Sequence, residues 1–144
     1  MKANELKVTD LMVGDWVICH HPTRPKCLGK VSVGLLHTMQ EQEYGHIKEN
    51  SPLFRIIEPI PLTPEILKKN GFEVDKLITQ YNLYTGIDNR VLLRNDKEFI
   101  NSNNKWCVHV DSNDYRSVAN CELTYVHELQ HLLRICKIDF EFTV

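Results

Sequence analysis

No apolar run in this 144-residue chain approaches the ~20 residues needed to cross a bilayer, and the opening MKANELKVTDLMVGDWV lacks the unbroken apolar core of a signal peptide. Membrane insertion and secretion are therefore not expected, and a cytoplasmic compartment is. Cysteine is scarce and badly spaced for a framework. The five thiols form an odd set without a C-x-x-C pair, which argues against disulfides or a zinc ribbon and for reduced, mostly buried thiols. A basic stripe is missing too: residues 1–60 carry 7 basic and 7 acidic side chains, residues 61–144 carry 10 and 12. Nucleic acid is not a favoured partner, because phosphate recruitment needs clustered Lys and Arg. Internal repeats, heptads and low-complexity segments are also lacking.

With 42% hydrophobic and 25% charged residues, the composition is that of an ordinary globular protein. Residues 1–60 read as a β lobe. GDWVICH is an apolar strand after a turn, GKVSVGLLHT a second strand, and LFRIIEPIPL a third that stops at its prolines. HHPTRPKCLG between the first two must be a loop, and QEQEYGHIKENSP a polar connection. Together these predict a small SH3-like barrel or curled sheet.

Residues 61–144 read as an α+β lobe. Thr63 as N-cap, Pro64 in the first turn and Gly71 as left-handed stop predict a two-turn helix anchored by Ile66, Leu67 and Phe72. LITQYNLYT, RVLLR, EFI and WCVHVD, separated by GIDN and NSNN, predict an antiparallel meander. A last helix is expected from an N-cap at Thr124 to about Cys136. Its core stripe would be Tyr125, Val126, Leu129, Leu132, Leu133 and Cys136, with His127, Gln130, His131 and Arg134 on the solvent side. KIDFEFTV alternates like a strand with one buried face.

That helix contains His127-Glu128-x-x-His131. Two imidazoles at i and i+4 can take two positions on Zn²⁺, with the intervening glutamate as general base for a metal-bound water. A third ligand has no obvious source, since Arg134 and Lys137 stand where the metzincin pattern has glycine and histidine. Random order would give the five-residue motif in roughly 2 or 3 of every hundred chains of this composition. The solvated helical face is therefore the leading reading, and zinc hydrolysis through Glu128 the alternative. Cys19, His20, His21 and Cys27 are a second, weaker metal set, because adjacent strand residues point to opposite faces. His109 and Asp111 share a strand face and could pair, though no nucleophile is tied to them. Trp16, Tyr81, Tyr84 and Trp106 could line a groove, but aromatics at strand positions are more often core.

Four phrases, MKANEL, LMVGDWV, IEPIPLTPEILKKNGFE and YVHELQHLL, occur in this order from the first residue to the last helix. In them the chain resembles a family of small uncharacterised proteins from phage, prophage and mobile elements of gut bacteria. The resemblance implies an N-terminal β part, the short helix, an antiparallel sheet and a C-terminal helix, with no known activity. Family members often read YVHQLQNLYFALTG at the last helix, which implies that Glu128 and His131 are replaceable by amides. This chain departs from the family at RICKIDFEFTV, where a Gly-Glu-Glu turn is usual.

The reading is an α+β protein acting as a non-enzymatic binding or accessory protein with an unknown protein partner, contacted around Trp16, His20, His21 and Arg24. The alternatives are a zinc-dependent hydrolase using His127 and His131 as ligands, and a small nucleic-acid-binding barrel.

Overall fold

The computed structural model describes residues 6–76, 80–85, 89–94, 105–112 and 117–144, the side chains of 112 and 117–120 excepted. The expected strand EFI and the turns GIDN (86–88 of it) and NSNN lie outside these residues. By contact density the chain divides into two units, Met1–Ile60 and Pro61–Val144. The fold is α+β, with antiparallel sheets throughout.

In the first unit, β1 (Trp16–His20) is flanked by β2 (Cys27–Lys30) and β3 (Ile56–Pro59) in the order β2-β1-β3. Among the described residues this sheet is open, with edges at β2 and β3, so the expected barrel closure is not seen. Of the expected strand GKVSVGLLHT only Gly29 and Lys30 pair, in a strand that starts at Cys27 inside the expected loop; Val33–Glu43 is an eleven-residue helix, α1. The cause is local. Ser32 Oγ accepts the Leu35 N–H at 3.1 Å and caps the helix, after which Leu35, Leu36 and Met39 recur at helical spacing. These three pack with Val17, Val31 and Ile57 into the core of this unit. Packing of Leu35, Leu36 and Met39 overrides the strand preference of the exposed Val33, while Val31 stays outside the helix with its N–H on Asp15 O.

In the second unit, α2 (Pro64–Lys69) begins and ends as its sequence dictates. Thr63 Oγ1 accepts the Ile66 N–H at 3.3 Å. Gly71 sits at φ 82°, letting Gly71 N–H reach Lys68 O and Phe72 N–H reach Leu67 O. A five-stranded meander follows: β4 (Glu73–Asp75), β5 (Gln80–Thr85), β6 (Asn89–Arg94), β7 (Trp106–Ser112) and β8 (Ser117–Leu123). Alternate residues bury one face: Tyr81, Leu83, Val91, Leu93, Trp106, Val108 and Val110. The buried Trp106 ring meets Tyr81 edge-on at 5.4 Å, and its indole N–H donates to Leu62 O at 3.0 Å, so these two aromatics are core. β8 is a strand the sequence reading missed, and a register shift between Val110 and Asp111 marks its pairing with β7.

The last helix, α3, spans Val126–Ile135, with Tyr125 rather than Thr124 at the N-cap. It ends with Lys137 at φ 57°, whose N–H bonds Arg134 O while Ile138 N–H bonds Leu133 O. This is the same six-residue closure that Gly71 makes, built here on a residue with a Cβ. The tail keeps the expected alternation, Ile138 and Phe142 buried against exposed Asp139, Glu141 and Thr143, but is not a ladder strand. Asn70 holds it instead: Nδ2 donates to Thr143 O at 2.6 Å and Oδ1 accepts the Thr143 N–H at 2.7 Å. The cysteines are half-buried or exposed, Cys27 and Cys121 being exposed, where mostly buried thiols were expected.

No helix among the described residues is long and apolar enough to cross a membrane.

Candidate functional site

The helix wheel placed His127 and Gln130 in solvent; both are buried, at 4% and 8% exposure. Val126, His127, Leu129, Gln130 and Leu133 form the buried arc of α3, turned by about 80° from the expected stripe. Leu132 and Cys136 are only half-buried. Burial of His127 is accommodated by aromatic neighbours, with Tyr125 stacked on its ring at 5.9 Å and His131 edge-on at 5.7 Å. The two imidazoles of the zinc motif therefore do lie together. Their glutamate does not face them as a base would. Glu128 Oε1 accepts the backbone N–H of the N-cap residue Tyr125 at 3.0 Å and approaches that of Thr124, just before the helix, at 3.3 Å. Among the described residues no three His, Cys, Asp or Glu side chains gather where they could hold a metal ion.

The loop joining β1 to β2 has a different chemistry. Residues of β1 alternate, so Cys19 packs toward the core opposite Cys27, while His20 leaves by the other face. His20 Nε2 lies 3.3 Å from Glu58, whose carboxylate is also 2.7 Å from Lys26 Nζ. Lys26, helped by His20, holds the Glu58 carboxyl below its usual range. Trp16 carries Lys30 Nζ over its ring at 5.2 Å. The supposed Cys19, His20, His21 and Cys27 cluster is thus dispersed. Burial pushes the Cys19 thiol up, against the opposing influence of Arg55.

His21 belongs to the loop itself. Its Nε2 reaches Ser51 O at 3.1 Å, and its Nδ1 lies 2.8 Å from Thr23 Oγ1 and 3.2 Å from the Thr23 N–H. A neutral tautomer with the proton on Nε2 satisfies all three contacts. The ring so joins the β1–β2 loop to the segment before β3. Between them lies a cleft of about 280 Å³ lined by His21, Thr23, Arg24, Asn50, Pro52 and Arg55. Arg55 is fixed at this wall: its Nη1 donates to Pro52 O and Phe54 O, both at 2.8 Å. Its backbone is clamped by the Gln42 amide, which accepts the Arg55 N–H at 2.6 Å and donates to Arg55 O at 2.9 Å. Of the expected contact residues the cleft unites His21 and Arg24, and leaves Trp16 and His20 outside its lining. Asn50 and Arg55 were missed, and no spacing rule links them to Arg24.

On the outer face of the five-stranded sheet, His109 and Asp111 do pair, Nε2 to Oδ1 at 2.5 Å, and Arg90 Nη2 takes the other carboxylate oxygen at 2.7 Å. The Arg90 hydrogen bond, with His109 adding to it, holds the Asp111 carboxyl below its usual range. With both oxygens engaged, Asp111 is an ion-pair anchor. Tyr84, the register neighbour of Arg90, is 61% exposed.

Comparison of the chain with protein-family models, curated proteins and solved structures finds no significant match.

Proposed function

We propose that the chain is a non-catalytic binding or accessory protein of a phage or mobile element, working in the cytoplasm, and that it meets its partner at the β1–β2 loop. The observation that carries this reading is the cleft where Arg24 and Asn50 stand beside an Arg55 held rigid by two carbonyls and the Gln42 amide. A donor held rigid, as Arg55 is, lowers the ordering cost of association. The groups that would have suggested catalysis have other work: Glu128 caps α3 and Asp111 bridges Arg90 and His109.

The test is quantitative capture on the immobilised chain against Arg24→Ala and Asn50→Ala variants. Species retained by the wild type and lost by both variants support the reading. Retention of every species by both counts against it.

A zinc hydrolase is the second reading: the 5.7 Å separation of the His127 and His131 rings permits a shared ligand without selecting one. It requires stoichiometric zinc in protein purified without an affinity tag, lost in His131→Ala. The nucleic-acid reading has less support, since the strands of the first unit form an open three-stranded sheet rather than a small barrel.

A further inference from the structure

The same cleft bears a narrower reading, which rests on the binding role just proposed. None of its six lining residues is acidic, and two are arginines. Cationic groups on a concave wall, without a carboxylate among them, set up a positive local potential that concentrates anions. The Arg24 side chain has no partner among the described residues, and Arg55, anchored through Nη1, keeps Nε and Nη2 unengaged there. Asn50 adds an amide. We infer that this cleft is a phosphoryl-binding site, the anchor for a phosphate-bearing ligand.

Geometry selects phosphoryl over the other candidates. A carboxylate offers two oxygens and is satisfied by one guanidinium fork, whereas a phosphoryl group offers three and can engage two forks and an amide together. A metal cation is repelled by the lining. A large apolar ligand finds mostly polar walls, and about 280 Å³ falls just below the ~300 Å³ at which pockets for drug-sized ligands begin. The cleft is also built before any ligand arrives. His21 ties its two walls together, and Gln42 and the Pro52 and Phe54 carbonyls hold Arg55, so the exposed Arg24 side chain is the main group that binding must order.

The experiment is titration of the full chain with inorganic phosphate, followed by amide chemical shifts, against chloride at matched ionic strength. Saturable shifts at His21, Thr23, Arg24, Asn50 and Arg55 with phosphate alone are expected, together with at least a roughly tenfold loss of affinity in Arg24→Glu. Arg24 is exposed and its side chain holds nothing else, so this variant folds as the wild type does. A nucleoside diphosphate and a short single-stranded oligonucleotide then separate the sources. Tighter binding of the former assigns a small molecule with a terminal phosphoryl group and sustains the site; tighter, steeply salt-dependent binding of the latter assigns a phosphodiester backbone, which offers only two free oxygens per phosphate, and overturns the assignment. Equal shifts in chloride, shifts confined to other residues, absence of saturation, or Arg24→Glu within about twofold of wild type overturns it. If those results appear while Arg24→Ala still loses its captured species, the phosphoryl assignment fails and the binding role stands.

Discussion

Replacing Glu128 separates a helix cap from a catalytic base. Its Oε1 accepts the N–H of Tyr125 at 3.0 Å, with Thr124 N–H at a longer 3.3 Å, in a half-buried setting. The better bond, a charged acceptor on a backbone donor, contributes about 1.5 kcal/mol, and a carboxylate in the first turn about 0.5 kcal/mol through the helix dipole. Glu128→Ala should therefore cost about 2 kcal/mol, at the upper end of measured caps. Glu128→Gln keeps an acceptor oxygen and loses only the charge, costing about 0.5 to 1 kcal/mol. At about 3 °C per kcal/mol for a chain of this length, the midpoints fall by about 6 °C and about 1.5 to 3 °C. Thermal and urea unfolding measure the size, and hydrogen exchange places it: the amides of Thr124 and Tyr125 should exchange faster in the alanine variant. A base for metal-bound water would behave in the opposite way, with stability unmoved and an activity abolished by both changes. Unfolding within about 0.5 kcal/mol of wild type for Glu128→Ala, or unchanged exchange at 124 and 125, refutes the capping account.

Lys137→Gly should stabilise the second unit by about 1 kcal/mol in urea unfolding, because φ 57° strains a residue with a Cβ and suits glycine. Asn70→Ala removes the side chain's bonds to Ile66 O and Thr143, and should cost about 2 to 3 kcal/mol while opening residues 138–144 to limited proteolysis. Asp111 has a depressed carboxyl pKa in the fold, so its stabilising contribution is present above the unfolded value near about 4 and is lost as pH falls through the folded one. Asp111→Asn should flatten that acid limb of the stability curve, and Arg90→Met should move the Asp111 titration, followed by NMR, upward. Cys27, exposed, should be alkylated ahead of Cys19, whose thiol is half-buried and pushed up by burial; mass spectrometry of partial iodoacetamide reactions reads the order.

Legibility in the sequence followed how local each determinant was. α2 could be read almost residue by residue, since Thr63, Pro64 and Gly71 act on their immediate neighbours. The meander of β5, β6 and β7 was legible from its short apolar runs, while the face carrying Tyr81, Val91 and Val108 was settled by the fold. α1 was hidden because Val31 and Val33 flank the cap at Ser32 and spell a strand, while the stripe that decides for helix is only Leu35, Leu36 and Met39. The tail showed its burial period but not its hydrogen bonds, which come from an asparagine 73 residues away. The cleft was half legible: a proline-rich loop with His21 and Arg24 suggested a contact surface, but Asn50 and Arg55 join it only by folding.

His127-Glu128-x-x-His131 shows why spacing alone could not assign chemistry to this helix. Any histidines at i and i+4 lie one turn apart, so the ring proximity seen here carries no commitment to a metal. What distinguishes the uses is where the helix begins. With Tyr125 at the N-cap, Glu128 stands at the third helical position, within reach of amides that have no other helical acceptor. Had the helix begun two turns earlier, those amides would bond carbonyls four residues back and the carboxylate would be released for other work. The tyrosine at 125 thus sets the role of the glutamate at 128, and the motif becomes readable only together with the residue that starts it.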